Sequence, residues 1–336
     1  MGMASSTVRT FTDPDAYRVA IRAEHVEGVV TARGNFHAEM TRIDLDQVLM
    51  QHAEENLPRV LVISTRPQRA AIIFATDQGQ PAMHVSGMAL TSGEIIAWDS
   101  GLPAHHRSAA ACRWGSMSLT HEDLATFGAA IIGRELTPPS CAHRIKPSVP
   151  RMSRLLSLHE AAGHLAKTAP DILAKPEVAR AMEQALVEAM VWCLASGDPV
   201  DVRSVHRHHA TVMRHLEEVL QSNSEGPLYM AELCAAARVS YPTLRASCQE
   251  HLGMSPKRYL WLRRMHLAQR ALRRADPEKT TVTEIATNYG FWELGRFSVA
   301  YRSLFGESPS TALRGPPDDP KPGEIDGSPR QFTKSA

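Results

Sequence analysis

The hydrophobic pattern in the first third of the chain is that of short β-strands. Between Gly34 and Trp98, apolar runs such as VLVIS, AAIIFA and EIIAW are separated by Gly, Pro and Asp. Runs of this length favour strands, and the segments between them are too short for the helices of a βαβ unit. The pattern therefore predicts an antiparallel β-sandwich or barrel over about residues 28–118.

Apolar residues at helical spacing replace the strand pattern over about residues 120–196. Thr120 precedes Asp123 by three positions, which is the spacing of a helix capping box. The segment SGDPVD, residues 196–201, is rich in turn-forming residues and predicts a linker between two domains.

The last third of the chain predicts two short helices joined at a glycine corner. Thr281 and Glu284 form a capping box at the start of the first helix, and Gly290 is expected to take the left-handed conformation that ends it. Phe291 then fills the corner, and the second helix spans about residues 293–305. A short helix, a tight turn and a second helix with a small and basic outer face predict a helix-turn-helix unit.

A unit of the same design lies upstream, between about residues 230 and 253. Its turn is expected at Arg238 and Val239, and Ser240 is the expected N-cap of its second helix. Residues 255–272 have apolar positions at helical spacing, so a stiff helix is expected to connect the two units.

Length and charge indicate two domains, one of which meets a polyanion. The 336 residues exceed the usual size of one domain. Residues 201–315 contain sixteen Lys and Arg against eleven Asp and Glu, a net charge of +5, whereas the rest of the chain, with 21 against 25, carries −4. A basic part beside an acidic part is typical of a protein whose basic part binds nucleic acid.

The composition gives no indication of a membrane segment, a signal peptide, disulfides or a metal site. The chain has no run of about 18 apolar residues and no signal-peptide core, so a cytoplasmic location is expected. The five cysteines include no C-x-x-C pair, which favours reduced thiols over disulfides or zinc. The histidine clusters at residues 105–106 and 206–209 lack carboxylates at ligand spacing. No catalytic residue, metal ligand or cofactor is therefore assigned.

The downstream unit also carries a family signature. The series IA…YGF…FS…Y…FGESP resembles that of the AraC/XylS family of bacterial transcription regulators. Upstream, LGMSPKRYLWLRRM is similar to the family's join between its two helix-turn-helix units, and the resemblance covers about residues 210–314. A weaker resemblance to the ethanolamine-operon regulator branch rests on GNFHAEM and FWELGRFS. The signature residues are Ile285, Ala286, Tyr289, Gly290, Phe291, Phe297, Ser298, Tyr301, Phe305, Gly306 and Pro309.

The resemblance implies an α+β protein of two domains. Residues 1–200 would form a cupin-like β-sandwich with helices that senses a small-molecule effector and mediates a homodimer. Residues 201–315 would form an all-α domain whose two recognition helices enter successive major-groove segments of double-stranded DNA. Residues 316–336 are rich in Pro and Gly and are expected to be a disordered tail. The function implied is a ligand-responsive activator that works with RNA polymerase and is not an enzyme.

Nine residues are candidates for contact with DNA. Arg245 is expected to read a base, because a guanidinium paired with guanine O6 and N7 is the commonest specific contact. Phosphate contact is expected for Arg296 and Arg302. Ala246, Gly295 and Val299 cannot form bidentate hydrogen bonds, so thymine methyl contact or phosphate positioning is expected there, and Cys248 stands where the family usually has a large aromatic residue. The candidates are Pro242, Arg245, Ala246 and Gln249 on the first recognition helix, and Leu294, Gly295, Arg296, Val299 and Arg302 on the second.

Three other interpretations stay open. One is a cupin-type metal-dependent enzyme with an accessory DNA-binding domain, although PAHHRSAAAC lacks the expected H-x-H with a following Glu. A second is a DNA-repair methyltransferase fused to such a domain, which clustered cysteines would favour. A third is a non-specific architectural protein, which would need more positive charge. In the N-terminal domain His84, Trp98, His105 and Trp114 are candidates for lining a pocket, and no ligand residue is assigned.

Overall fold

The chain folds into a β-rich N-terminal domain and a helical C-terminal domain. The computed structural model describes residues 4–64, 68–98, 103–139, 141–196, 204–223 and 228–315. Within these residues the N-terminal part contains two β-sheets and the C-terminal part contains two helix-turn-helix units. The expected two-domain α+β fold is confirmed.

Antiparallel strands build both sheets of the N-terminal domain. Among the described residues, one sheet has seven strands in the order β1-β3-β4-β11-β6-β9-β12, and the other has five in the order β2-β5-β10-β7-β8. Neighbouring strands pair in the antiparallel sense. The strands are β1 Ser5–Phe11, β2 His25–Val30, β3 Ala38–Asp44, β4 Leu49–Glu55, β5 Arg59–Ser64, β6 Arg69–Ala75, β7 Met83–Val85, β8 Met88–Leu90, β9 Ile95–Trp98, β10 Ala104–Arg107, β11 Cys112–Thr120 and β12 His143–Ile145.

The two sheets pack face to face and bury apolar side chains of their facing sides between them. Successive side chains of a strand point to opposite faces, so one strand can contribute to two cores. In β6, Ala71 and Ile73 belong to the core between the sheets. Ile72 and Phe74 of the same strand belong to a second core on the opposite face of the seven-stranded sheet. The predicted sandwich is therefore present, with a separate hydrophobic core on its outer side.

Helices cover that outer side of the seven-stranded sheet. The second core contains Leu155, Leu186 and Met190 from these helices, each fully buried. The Thr120 hydroxyl accepts a hydrogen bond from the Asp123 amide (3.0 Å), which confirms the predicted helix start. The helices of this domain are α1 Pro14–Ala20, α2 His121–Ile132, α3 Val149–Thr168, α4 Pro170–Leu173 and α5 Pro176–Ser196.

The C-terminal domain is built around one long helix. Leu262, Met265, Ala268 and Leu272 of α9 are fully buried in its core, so the helix predicted to connect the two units also forms the centre of the domain. The helices are α6 Ser204–Ser222, α7 Met230–Ala236, α8 Tyr241–Leu252, α9 Pro256–Arg274, α10 Val282–Asn288, α11 Leu294–Phe305 and α12 Pro309–Arg314.

The outer face of the five-stranded sheet packs against the C-terminal helices. Val29 of β2 and Val60 of β5 lie within the hydrophobic core of the C-terminal domain. On β10, His105 Nε2 donates a hydrogen bond to Glu217 Oε1 of α6 (3.1 Å), and the Tyr259 hydroxyl of α9 donates to the same oxygen (3.3 Å). Because a buried carboxylate is costly without donors, these two contacts stabilise the domain interface.

Ion pairs extend this interface along α9. Carboxylates at the start of the N-terminal domain meet guanidinium groups of α9, so part of the positive charge of the C-terminal domain is neutralised within the molecule. The pairs are Asp13 with Arg273 (3.2 Å), Asp15 with Arg270 (3.3 Å) and Glu27 with Arg263 (3.5 Å).

The extent of the β-structure differs from the prediction of about residues 28–118. β1 pairs with β3, and β12 pairs with β9 inside the segment predicted to be helical. Both are edge strands, and β1 buries only Phe11, so neither carries the apolar run by which strands are recognised. Apart from Ser196, the predicted linker at residues 196–201 lies outside the described residues, as does the predicted tail at residues 316–336.

Among the described residues, no helix combines the length and the apolar character needed to cross a membrane.

Candidate DNA-binding surface

The first helix-turn-helix unit consists of α7, a tight turn and α8. Arg238 occupies the turn with φ +53°, a left-handed conformation that is uncommon for a residue other than glycine. Ser240 is the N-cap of α8, as predicted, although its side chain contacts the Thr243 hydroxyl rather than a helix amide. Cys248 is fully buried, with its Sγ 3.9 Å from the Met213 sulfur, so it packs as a small apolar side chain in the core beneath α8.

The second unit consists of α10, a glycine corner and α11. The Thr281 hydroxyl accepts a hydrogen bond from the Glu284 amide (3.1 Å) at the start of α10. Gly290 has φ +77°, which confirms the predicted left-handed corner. Phe291 is buried and its ring centroid lies 4.8 Å from that of Phe297 on α11, so aromatic packing sets the angle between the two helices.

The candidate residues on α8 share an exposed face. Pro242, Arg245, Ala246 and Gln249 are all exposed, while Leu244 on the opposite side is fully buried. Arg245 forms no ion pair with any described residue, so its guanidinium is available to an external acceptor. The helix is held by its core and presents its outer face to solvent.

The candidate residues on α11 also lie on the outside, with one difference. Gly295, Arg296, Val299 and Arg302 are exposed, and Val299 is 74% exposed. Leu294 is half-buried and packs against the domain core, so it helps to anchor the helix. Arg296 Nη1 lies 2.7 Å from Glu293 Oε2, and both side chains are largely exposed, which makes this a weak surface pair.

Three exposed residues beside these helices are not among the candidates from the sequence. Trp292 lies just before α11 and is 73% exposed, and Tyr241 at the start of α8 is 42% exposed. The guanidinium of Arg258 lies 4.4 Å from the centroid of the Trp261 ring on α9, where Arg258 remains exposed. Aromatic residues that stay in solvent are typical of binding surfaces, and only their exposure in the fold identifies them.

The sandwich encloses a small cavity of about 50 Å³. Trp98 and Trp114 line it together with His106, whereas the candidates His84 and His105 are not among its described lining residues. The ring nitrogens Trp98 Nε1 and His106 Nε2 are buried and have no hydrogen-bond partner among the described residues. Burial lowers the pKa of His106 to about 3, so its imidazole is neutral.

Within the part of the chain that the structure describes, no group of three or more His, Cys, Asp and Glu is arranged to hold a metal ion.

Comparisons with known proteins concern mainly the C-terminal domain. A helix-turn-helix domain family matches residues 233–315. The chain is 35% identical over 152 residues to the probable thc operon regulatory protein of Rhodococcus erythropolis, covering 42% of this chain and 45% of that protein. It is 36% identical over 103 residues to the XylDLEGF operon transcriptional activator of Pseudomonas putida, covering 31% of each chain. The chain thus spans less than half the length of these curated relatives. Among solved structures, the AraC-like transcriptional activator CuxR aligns with a TM-score of 0.42 at 16% identity, covering 79% of this chain and 94% of that one.

Proposed function

We propose that this chain, whose residues 233–315 form an AraC-type helix-turn-helix domain, is a sequence-specific DNA-binding regulator of transcription. Its α8 and α11 enter successive major-groove segments on one face of a duplex. The N-terminal domain responds to a small-molecule effector, and the regulator acts as an activator. Activation is proposed because the relatives matched in Pseudomonas putida are named as activators of an operon.

The observation that carries this proposal is the exposure of both second helices. Eight of the nine candidate residues are fully on the surface, although α8 and α11 are each anchored in the core by buried residues. The N-terminal domain packs against α9 and the inner sides of α6 and α8, leaving these outer faces uncovered. A rigid pair of helices with free outer faces fits adjacent segments of a major groove.

The proposal is tested with the full-length protein and fragmented genomic DNA. Fragments retained by the protein are sequenced, and their affinity is compared with that of random duplexes of equal length at about 150 mM salt. A sequence-specific regulator should bind the recovered sites at least about a thousandfold more tightly. Equal affinity for both duplexes would contradict the proposal and favour an architectural protein.

The effector part of the proposal rests on the sandwich cavity. Trp98 and His106 line this cavity beside both apolar and polar side chains, and their ring nitrogens Nε1 and Nε2 have no hydrogen-bond partner among the described residues, so a ligand with hydrogen-bonding atoms could supply one. The cavity holds only a very small molecule unless its walls move. A ligand in this site should raise the melting temperature and change DNA affinity of the wild type, whereas Ala71→Leu, which fills the space, should lose both responses.

A further inference from the structure

We propose that the N-terminal domain supplies part of the DNA-binding surface through Arg33, which contacts a phosphate of the DNA backbone beside α11. This inference rests on the proposed function, because it needs a duplex against α11. It adds to the surface a residue that lies outside the helix-turn-helix domain and far from it in sequence.

The N-terminal domain and the second recognition helix share one cleft. The loop between β2 and β3 forms one wall with Arg33, and α9 and α11 form the other with Arg258 and Arg296. Gly295 and Val299, two of the residues expected to face DNA, line the same cleft. Its volume is about 590 Å³, which leaves open space beside α11 rather than a packed contact.

The charge of this cleft is positive. Three arginines line it, and no aspartate or glutamate is among the described residues of its walls. Arg296 has the exposed Glu293 as a neighbour, whereas Arg33 and Arg258 form no ion pair within the described part of the chain. By contrast, Arg263, deeper along α9, is paired with a carboxylate of the N-terminal domain. A concave wall with two guanidinium groups that form no ion pair with a described residue, and a third in a weak surface pair, attracts an anion such as phosphate.

The backbone that leads into the Arg33 loop is held in place by contacts with the C-terminal domain and with Pro58. Val29, near the end of β2, is buried in the C-terminal core, and His266 Nε2 of α9 donates a hydrogen bond to the Val30 carbonyl oxygen (3.2 Å). On the other side, the Thr31 amide donates to the Pro58 carbonyl oxygen (2.9 Å). These contacts hold the backbone that leads to Arg33 beside α11, so DNA binding has to order mainly the exposed Arg33 side chain.

Phosphate rather than a base is the expected ligand of Arg33. The side chain belongs to a loop at the flank of α11, and a recognition helix in the major groove is flanked by the two phosphate backbones. A phosphate contact adds affinity that depends on salt and not on DNA sequence. Arg33 therefore strengthens binding to all duplexes and leaves the choice of site to α8 and α11.

The test compares full-length wild type with Arg33→Ala, Arg33→Lys and Arg154→Ala. Arg154 is an exposed arginine of α3, on the far side of the sandwich, and controls for the loss of one positive charge. Affinity is measured between 50 and 200 mM salt for a duplex selected from genomic DNA and for a random duplex of equal length. Circular dichroism melting checks that each variant is folded.

Arg33→Ala should weaken binding to both duplexes about threefold at the lower salt and reduce the slope of log affinity against log salt by about 0.9, the value for one phosphate contact. Arg33→Lys should retain most of the slope, and Arg154→Ala should match wild type. If the slope of log affinity against log salt is unchanged in Arg33→Ala, the inference is wrong. The proposed function still stands in that case if the wild type prefers the selected duplex. Tighter DNA binding by Arg33→Ala would also contradict the inference, and it would show that Arg33 hinders DNA binding. Failure of the wild type to prefer the selected duplex removes the proposed function itself.

Discussion

Two neighbouring histidines of strand β10 lie on opposite faces of the five-stranded sheet. His105 and His106 are adjacent on β10, and the alternation of a strand sends them to opposite faces. His105 reaches Glu217 at the domain interface, whereas His106 faces the cavity between the sheets. The histidine pair, which in the sequence raises the question of a metal site, is thus divided between two separate environments.

Arg245 is expected to discriminate one base pair. Arg245→Ala should lower affinity for the selected site by about 1–3 kcal/mol and relax preference at a single position. Arg245→Lys keeps the charge but not the planar fork, so it should retain the salt slope and lose most of the discrimination. Binding measured against a set of single-base-pair variants of the site checks both. Full discrimination by Arg245→Ala would show that this arginine does not read a base.

Trp292 is expected to report DNA binding through its fluorescence. Its ring is 73% exposed beside α11, so a duplex at this helix should change its emission. Trp292→Phe should remove most of the DNA-induced change, and Trp292→Ala should weaken binding roughly fivefold, or about 1 kcal/mol. The control is Trp192→Phe in α5 of the N-terminal domain, which should retain the DNA-induced change in fluorescence. A full response from Trp292→Phe would place the duplex elsewhere.

At the scale of elements, helix corners follow from local chemistry, whereas edge strands do not. The corner before α11 depends on a capping threonine, a glycine and an aromatic residue within a few positions, and the sequence shows all of them. β1 and β12 lie at the two edges of the seven-stranded sheet, where few side chains are buried. Helical spacing of apolar residues does not by itself identify the buried face of α5: Ala181 is exposed, whereas Leu186 and Met190 are buried where α5 packs against α2 and α3.

Gly290 is expected to be required for the second helix-turn-helix unit. A β-branched side chain at φ +77° is strained, so Gly290→Val should destabilise the unit by about 1–3 kcal/mol and abolish DNA binding. Gly295→Ala is the matched control, because nothing lies within 4 Å of an added Cβ and the residue is inside a helix. That variant should be as stable as wild type or more stable by about 1 kcal/mol. Thermal melting and hydrogen exchange of α10 and α11 measure the difference, and equal stability of the two variants would contradict it.

The whole molecule is a stack of layers with one interface between domains. Helices of the N-terminal domain cover the seven-stranded sheet, the two sheets enclose the sandwich core, and the five-stranded sheet packs on the C-terminal helices. The N-terminal domain therefore contacts α9, the helix that connects the two DNA-binding units. The same domain also contacts α6 and α8, through Glu217 and through the packing of α8 on β10.

The stability of the folded chain should fall as the pH decreases below about 6.5. Burial lowers the pKa of His106 and His159 to about 3 and that of His266 to about 4. The unfolded chain protonates these side chains near pH 6.5 and the folded chain does not, so protons favour the unfolded state in the intervening range. Each histidine should then lower the free energy of unfolding by about 1.4 kcal/mol for each pH unit below about 6.5, down to its pKa in the folded chain.

Denaturant unfolding at pH 7.5, 6.5 and 5.5 measures this dependence. His159→Gln removes one of these histidines. Below pH 6.5, unfolding of this variant should therefore take up about one proton fewer, and its free energy of unfolding should change less with pH. A free energy of unfolding that stays constant from pH 7.5 to 5.5 would show that these histidines are accessible to protons in the folded state.

Local patterns in the amino-acid sequence are enough to predict the strand-rich first part, the two helix-turn-helix corners and the outer faces of their second helices. Those features depend on caps, glycine conformation and apolar spacing, which act between residues close in sequence. The packed fold, in contrast, is needed to show which arginines form no ion pair among the described residues, that Trp292 is exposed and that Arg33 lies beside α11. The hydrogen bond that places this loop joins Val30 to His266 across 236 positions, and burial and ion pairing between such distant residues arise only when the chain is packed.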